Sequence, residues 1–572
     1  MSNIGREDLF RAAAEAQGKG DLIAAGSLYS RFVKANPGVP EAWEQLGAIL
    51  AELGNLGEAE HCLRGILQFM GGYSALHRVH GHLCWIYALQ GRSEALTHGR
   101  EAVRLNPRFE GGWLNLANAL SLAGEPQEAI AAFKEAAALG SMRHHGGLYS
   151  VKRSICDWEG IDELERVLFE PARKPLAHDS DLGVMAKTPE AQRSFAEACA
   201  ARFPPRYIHS IGASRRVEGR RIKLGYFGGE FHDTSIMALL ASTIENHNRE
   251  RFEVHAFSFG PDIDGPMRKR LKSAFDEFHE PGAAINEAIA RNIAALEIDV
   301  LLDLNGYLKG NRTGVIARRP APIQIGYLGW PATTGAPFMD AIIADPIVAP
   351  EPRWFSEKLI HLDCYMPTDE RKHEPSPRER SEFGLPNDAV VLCSMNNTWK
   401  LDAEMMALWC EILRELPEAV LWQAVRTPPA ERNLREFARR HGVADRLIIA
   451  PPVPYDEHID RSSLADIALD THPYGGHTTS CDMLWAGIPV VTRRGETFAS
   501  SVATSLLHAV GLPELSTSSL AEYKALVIAL SRDKPRLHAV KRQLSSARRS
   551  SKLFDSKRYT KALEAKLIEL VS

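Results

Sequence analysis

The 572-residue chain has eight cysteines, spread from Cys62 to Cys481, and no two of them form a C-x-x-C pair. Neither a disulfide framework nor a zinc knuckle follows, and a reducing cytoplasm fits best. No run reaches the roughly 18 to 20 apolar residues that a membrane span needs. The first residues, Met1 to Arg11, carry Arg6, Glu7 and Asp8 in place of a signal peptide's apolar core, so no export is indicated and a soluble, cytoplasmic protein is expected. An excess of charge of either sign is also missing. Sixty-eight Lys and Arg stand against 72 Asp and Glu, for a net −4, which predicts neither a nucleic-acid partner nor a polybasic membrane patch. No G-x-G-x-x-G opens an α/β unit and no Walker lysine loop is found, which disfavours nicotinamide or flavin enzymes and NTPases.

What is present begins with a repeat. Ala25, Ala59, Ala95 and Ala129 precede amphipathic stretches at spacings of 34, 36 and 34, the tetratricopeptide period. Gly54, Gly91 and Gly124 fall at the turns between paired helices. Trp43 and Trp113 lie 70 residues apart at the starts of first helices, and Asn36-Pro37 and Asn106-Pro107, also 70 apart, end second helices. Each hairpin exposes an apolar face that stacking must cover, and such stacks curve into a groove suited to extended peptides. The reading is a tetratricopeptide superhelix over 1–145, followed by a helical connector over 146–216 in which Cys156, Trp158 and His178 read as structural.

From 217 onward, strand-length apolar runs alternate with helical patterns, the signature of parallel sheets covered on both faces. One half, 217–385, places strands at Ile222–Phe227, Phe252–Phe259, Val300–Leu304, Ile323–Leu328 and Ala341–Ala344. The other, 386–572, places them at Val390–Met395, Val420–Val425, Leu447–Ile449, Ile467–Asp470 and Pro489–Thr492. Proline-rich, polar sequence from Asp345 to Pro386 marks the crossing. Two Rossmann-like domains facing each other put ligands at strand C-terminal ends.

The loops at those ends carry the chemistry. Asp470 closes a strand, Gly475 and Gly476 permit close backbone approach, and His477, Thr478, Thr479 and Ser480 lead into a helix that stops at Gly487. The amides at such a helix start, with the positive end of its dipole, form an anion site suited to a diphosphate. Against this stands the bland reading that a Thr or Ser is simply an N-cap. Asp482, one turn on, is placed to accept hydrogen bonds from a ribose. In the loop Asn396-Asn397-Thr398-Trp399-Lys400-Leu401-Asp402, Asp402 is an N-cap candidate, and Lys400 gains nothing from the following helix unless an anion lies between them, so it reads as a phosphate ligand. In the first half, His232 and Thr234 follow the opening strand and project toward the sugar and acceptor, where an imidazole of pKa near 6.5 orients or deprotonates a hydroxyl. The glycines of Asn305-Gly306-Tyr307 and Tyr327-Leu328-Gly329-Trp330-Pro331 allow backbone contact with a sugar ring. Asp262-Ile263-Asp264 and Asp179-Ser180-Asp181 match the D-x-D pattern of metal-dependent glycosyltransferases, but both sit in polar stretches away from the phosphate loop. No metal and no cofactor are assigned.

Together these residues resemble the protein O-GlcNAc transferase family, SPINDLY-like proteins included, across essentially the whole chain. The most specific stretches are Arg319-Pro320-Ala321-Pro322-Ile323-Gln324, Leu464-Ala465-Asp466, Gly476-His477-Thr478-Thr479 through Asp482 to Gly487, and Gly495-Glu496-Thr497. The resemblance implies tetratricopeptide repeats joined to a glycosyltransferase B fold, and inverting, metal-independent transfer of GlcNAc from UDP-GlcNAc to Ser or Thr hydroxyls of proteins. It also implies the residue roles. Lys400 binds the diphosphate and assists its departure; His477, Thr478 and Thr479 cradle the phosphates; Asp482 holds the ribose. Pro454, His458 and Arg461 surround the base, Asn397 and Trp399 flank the lysine, Gly329 and Pro331 line the sugar loop, and His232 and Thr234 stand at the acceptor end. Two alternatives stay open: protein O-fucosyl transfer from GDP-fucose, and a repeat scaffold whose transferase half binds nucleotide without turnover.

Overall fold

The computed structural model describes residues 6–170, 177–203, 207–210, 217–282 and 284–572, which fall into two compact units, Met1–Lys152 with Gly282–Ile289, and Arg153–Pro281 with Ala290–Ser572. The side chains of His178 and Asp179 lie outside the described residues.

In the first unit eight helices pair into four hairpins: α1 (Arg6–Gly18) with α2 (Leu22–Ala35), α3 (Pro40–Glu52) with α4 (Leu56–Phe69), α5 (Leu76–Leu89) with α6 (Glu94–Leu105), and α7 (Glu110–Leu122) with α8 (Pro126–Ala138). The period read from sequence is the period of the structure. Ala25, Ala59, Ala95 and Ala129 lie in the four second helices and are all buried. Small side chains there let neighbouring helices approach closely, and a larger group would overpack at about 1–3 kcal/mol. Gly54, Gly91 and Gly124 turn between helices at φ +86°, +68° and +80°, the left-handed region that a Cβ disfavours. Trp43 and Trp113 each donate their indole N–H to the carbonyl of the Pro that ends the preceding repeat, Pro37 and Pro107, at 2.9 Å in both cases. The first unit also contains the start of α9 (His144–Ser154).

The second unit opens with α10 (Ile161–Leu168) and α11 (Pro189–Ala200) and then builds two wholly parallel sheets. The first has seven strands in the order β3-β2-β1-β4-β5-β6-β7: β1 (Ile222–Gly228), β2 (Phe252–Ser258), β3 (Glu277–His279), β4 (Val300–Asp303), β5 (Ile323–Gly326), β6 (Ala341–Ala344) and β7 (Lys358–His361). Helices α12 (Met237–Glu245), α13 (Pro266–Ala274), α14 (Asn286–Ala295) and α15 (Thr313–Ile316) connect them. The second has six, β10-β9-β8-β11-β12-β13: β8 (Val390–Ser394), β9 (Ala419–Ala424), β10 (Leu447–Ala450), β11 (Ile467–Leu469), β12 (Val490–Arg493) and β13 (Ser516–Thr517). Its helices are α16 (Ala403–Glu415), α17 (Pro428–Arg440), α18 (Tyr455–Ser462), α19 (Thr478–Trp485), α20 (Phe498–Ala509), α21 (Leu520–Arg532) and α22 (Lys534–Ser550). The central strands are buried on both faces, which is why they read as continuous apolar runs.

Three strands escape the apolar-run criterion. Edge strand β3 is Glu-Phe-His, β13 is two residues long, and β7 lies inside the proline-rich stretch taken for a crossing. The last helix, α23 (Ser556–Val571), does not stay with the second sheet that precedes it. It packs on α12, where Glu564 Oε1 accepts from His247 at 3.0 Å, Ser556 bonds Asn246 at 2.9 Å and Tyr559 meets Tyr327 at 2.9 Å. The buried leucines Leu563 and Leu567 fix it there, since their apolar stripe needs a partner. Among the described residues no helix is long and apolar enough to cross a membrane.

Candidate active site

Both sheets reverse direction at corresponding places, between β1 and β4 and between β8 and β11. Loops following these strands diverge and leave a crevice at the strand C-termini. A cleft of about 840 Å³ opens there, with Thr234 on the side of the first sheet and Asn397, Thr478, Thr479 and Asp482 on the side of the second. Pro454, His458 and Arg461 line its far end.

The loop from β11 into α19 is wired to one carboxylate. Asp470 Oδ1 accepts the amides of Thr471 at 2.9 Å and Gly476 at 2.5 Å and the side-chain amide of Asn396 at 3.2 Å, while Oδ2 accepts the Thr492 hydroxyl at 2.7 Å. Burial lifts the Asp470 carboxyl above its usual range against these donors. Gly476 is required by crowding: a Cβ would lie 2.3 Å from Ser480 Oγ and 3.0 Å from Asn396 Oδ1. The N-cap of α19 is His477, at φ −102°, ψ −92°, and no side chain caps the helix. Thr478, Thr479 and Ser480 therefore stand within its first turn, and the bland reading of them as N-caps does not hold. The first-turn amides carry the positive end of the dipole without a capping oxygen. The His477 ring donates to the Ala499 carbonyl at 3.2 Å; burial and then Lys400 bring its pKa well below the ordinary range, so it is neutral.

Lys400 ends a short turn after β8, and its Nζ donates to the Gly475 carbonyl at 2.8 Å while lying 3.9 Å over the Tyr474 ring. The lysine and the glycine loop predicted to share a ligand thus meet. Burial brings the ammonium down to about 8, with Asp470 acting in the opposite sense. The turn itself is fixed from both sides. Asn397 Oδ1 accepts from the Trp399 amide at 3.1 Å, and the Trp399 ring meets Tyr474 edge-on at 5.9 Å. From the connector, Arg153 donates to the Trp399 carbonyl at 2.9 Å, Trp158 donates to that of Leu401 at 3.2 Å, and the Ser154 carbonyl accepts from Thr398 at 3.1 Å. Asp402 caps α16 through Met405 N at 2.9 Å, as its position predicted.

At the far end, Asp482 is not bare. Its Oδ1 accepts from the buried ammonium of Lys372 and from the Tyr455 hydroxyl at 2.9 Å, while His458 Nε2 stands 4.0 Å from Oδ2. Burial takes the His458 imidazole down to about 4. Arg461 donates to the Pro451 carbonyl at 2.5 Å and lies 5.7 Å over Trp422. Four polar atoms here, Ser394 Oγ, Asn396 Oδ1, Gln423 Oε1 and Arg461 Nε, are buried with no hydrogen-bond partner. Such valences cost about 1–3 kcal/mol each when left unmade.

In the first half His232 is half-buried, its Nδ1 has no partner, and burial followed by the Arg268 charge lowers its pKa. Thr234 donates to the Glu230 carbonyl at 3.1 Å. Gly329 and Pro331 are not lining residues of the cleft. A Cβ on Gly329 would lie 1.9 Å from the Leu304 carbonyl oxygen, so the close approach that glycine permits here is to the chain itself, and Pro331 is buried. His232, Trp399, Lys400 and His477 also stand outside the lining; Lys400 is tied to the glycine loop through the Gly475 carbonyl, and the His477 ring is bonded to the Ala499 carbonyl of α20. Asp262 pairs with Arg268 at 2.9 Å and Asp264 with Lys269 at 3.1 Å.

Sequence reading missed Lys372, Tyr455 and Arg153, gave Asn396 no role within its loop, and saw Asp470 only as a strand end. A hub carboxylate is visible only once its donors, 1 to 74 residues distant, are assembled. Lys372 is hidden among Arg371 to Arg380, where charge reads as solvated surface.

The model of glycosyl transferase family 41 matches residues 174–375 and 367–563. A probable UDP-N-acetylglucosamine–peptide N-acetylglucosaminyltransferase of Arabidopsis thaliana, SEC, is 37% identical over 393 residues, 66% of this chain and 40% of that protein. The UDP-N-acetylglucosamine–peptide N-acetylglucosaminyltransferase of Caenorhabditis elegans is 25% identical over 553 residues, covering 72% of this chain and 47% of its own length. The chain thus spans less than half the length of these relatives. A solved structure of a mutant Thermobaculum terrenum O-GlcNAc transferase superposes with a TM-score of 0.66 at 26% identity, over 99% of this chain and 97% of that one. With both α/β halves inside the family match and the cleft between them, the chain belongs to glycosyl transferase family 41.

Proposed function

We propose that the chain transfers GlcNAc from UDP-GlcNAc to Ser or Thr hydroxyls of polypeptides, with inversion and without a metal ion, in the cytoplasm. The observation that carries this reading is the meeting of Lys400 with the glycine loop at the uncapped start of α19. Two phosphates seated there receive the amides and hydroxyls of Thr478 and Thr479, the positive end of the helix and the lysine ammonium. The acceptor hydroxyl attacks the anomeric carbon as the bond to the nucleoside diphosphate breaks. Charge developing on the departing diphosphate meets fixed positive groups that need no reorganisation, and this is where such sites gain most of their rate. Lys400 and the helix end supply what a divalent cation supplies elsewhere.

His477 contributes a neutral ring beside the phosphates, Asn397 and Trp399 hold the lysine turn, Asp482 addresses the ribose, and Pro454, His458 and Arg461 enclose the base. His232, neutral near pH 7, and Thr234 serve the acceptor side, and the groove of the repeats holds the acceptor polypeptide. The names of the relatives support the donor and the acceptor class.

A thermal-shift comparison of UDP with GDP tests the donor. UDP at 100 times its dissociation constant stabilises by about 2.7 kcal/mol. Preferential stabilisation by GDP would replace UDP-GlcNAc by a GDP-sugar such as GDP-fucose. Turnover of UDP-GlcNAc with peptide tests the chemistry; activity lost to EDTA and restored by Mn²⁺ would overturn the metal-free step.

A further inference from the structure

The segment joining the two α/β halves supplies a residue to the cleft that no motif announces. Lys372 is 6% exposed, and its ammonium donates to Asp482 Oδ1. The Tyr455 hydroxyl donates to the same oxygen at 2.9 Å, and Lys372 Nζ lies 5.9 Å over the Tyr455 ring. Among the described residues Asp482 Oδ2 accepts no hydrogen bond, and the imidazole of His458, which burial keeps neutral, stands 4.0 Å from it. The carboxylate is therefore held by one oxygen and presents the other. Lys372, Tyr455, His458 and Asp482 all line the cleft.

Lys372 is itself held. Next to it, His373 donates to Asp460 at 2.7 Å and its carbonyl accepts the Trp485 indole N–H at 2.7 Å, both in the second half. Three residues earlier, Asp369 accepts from Arg270 at 2.5 and 2.8 Å and from the Ser242 hydroxyl at 2.5 Å, both in the first half. The ammonium thus stands on a strap anchored at each end. Burial alone would lower its pKa, but the facing Asp482 carboxylate raises it above the usual lysine range, so it stays charged.

An ion pair between two buried groups can be structural only, and removing one partner is costly in either case. What a structural pair does not require is that two donors converge on one carboxylate oxygen while the other is left bare in a nucleotide-sized cleft. A ribose diol offers the two O–H donors that such an oxygen lacks. We infer that Lys372 is a positioning residue for nucleotide recognition: with Tyr455 it fixes Asp482 so that the free oxygen meets the ribose diol. The inference rests on the donor reading given above.

The test uses the full chain and isothermal titration with the nucleoside diphosphate that stabilises it, UDP or GDP, against its 2′,3′-dideoxy counterpart. Wild type is expected to prefer the ribose form by about 10-fold or more, the range of a hydrogen bond to a charged group. In Lys372→Met the preference collapses to about threefold or less, mainly through weaker binding of the ribose form, and Lys372→Arg recovers part of it. A Lys372→Met protein that binds both ligands more weakly but keeps the wild-type preference would overturn the inference and leave the donor site standing. A wild type that binds neither diphosphate overturns the donor reading itself. Should Lys372→Met fail to fold, Tyr455→Phe decides: the inference expects the preference to fall by about threefold, and an unchanged preference refutes it.

Discussion

The two sheets of the second unit share a parallel construction and reverse at the same place, yet the loops after their switch-point strands differ. In the first, the loops after β4 and β5 bond to the chain itself. Asp303 accepts the amides of Asn305 and Gly306 at 3.0 and 3.2 Å, Asn305 accepts from Gly229 at 2.9 Å, and buried Glu357 gathers the Thr333 hydroxyl and the Thr334 amide at 2.6 Å each. His232 Nδ1, Ser258 Oγ at the end of β2, Thr243 Oγ1, Arg268 Nε, Gln324 Oε1 and Tyr365 Oη are exceptions away from that network. The second leaves Ser394, Asn396, Gln423 and Arg461 with open polar atoms around an uncapped helix. A folded chain tolerates such gaps where a ligand fills them, so on the proposed function the labour divides: the second half takes the charged donor, and the first serves the acceptor side.

The contrast breaks most decisively at Lys400. Lys400→Ala is expected to lower kcat by about 10²–10³-fold in a peptide-transfer assay, the scale of losing one fixed charge-stabilising group. A loss under about fivefold would remove the second half from the chemistry. His232→Ala sharpens the other side: on the acceptor role proposed for the imidazole, kcat is expected to fall by about 10²-fold while the dissociation constant for UDP moves by less than about twofold. Equal losses in both quantities would erase the division. Gly476→Ala introduces a Cβ at 2.3 Å from Ser480 Oγ. It is expected to weaken nucleotide binding about tenfold by titration calorimetry, at 1–3 kcal/mol of overpacking.

A smaller effect comes from pH. Lys400 sits at about 8 in the free protein, and a bound diphosphate raises it, so binding takes up a proton above that value. Affinity for UDP should therefore fall as pH rises, by about fivefold from pH 8 to 9, and the slope should vanish in Lys400→Met. The repeats serve as the control. Trp43→Phe or Trp113→Phe removes one indole bond to a proline carbonyl and costs about 0.5–1.5 kcal/mol by thermal unfolding, without changing nucleotide affinity.

Legibility in the sequence followed the range of the interactions. The repeats were readable because alanines, glycines and prolines act within one hairpin, and each hairpin repeats the message. Central strands were readable because burial on both faces leaves only apolar residues, whereas β3 and β7 carry charged or polar residues at the margins of the first sheet. At the candidate site, Lys400 and Thr478 belong to strand-end loops whose glycines and hydroxyls stand out locally. The pairing of Lys372 with Asp482 spans 110 residues, and nothing near either one signals the other. Gly329 shows the converse, since a glycine needed against the Leu304 backbone looks the same in sequence as one needed against a ligand.

The return of α23 to α12 has a consequence for how the chain is made. The first sheet is synthesised hundreds of residues before the helix that completes one of its covering layers, so that layer waits, with apolar surface open, until the second half has emerged. Assembly of the two lobes is thereby coupled, and a ribosome stalled between residues 390 and 550 would carry a first lobe in need of a chaperone.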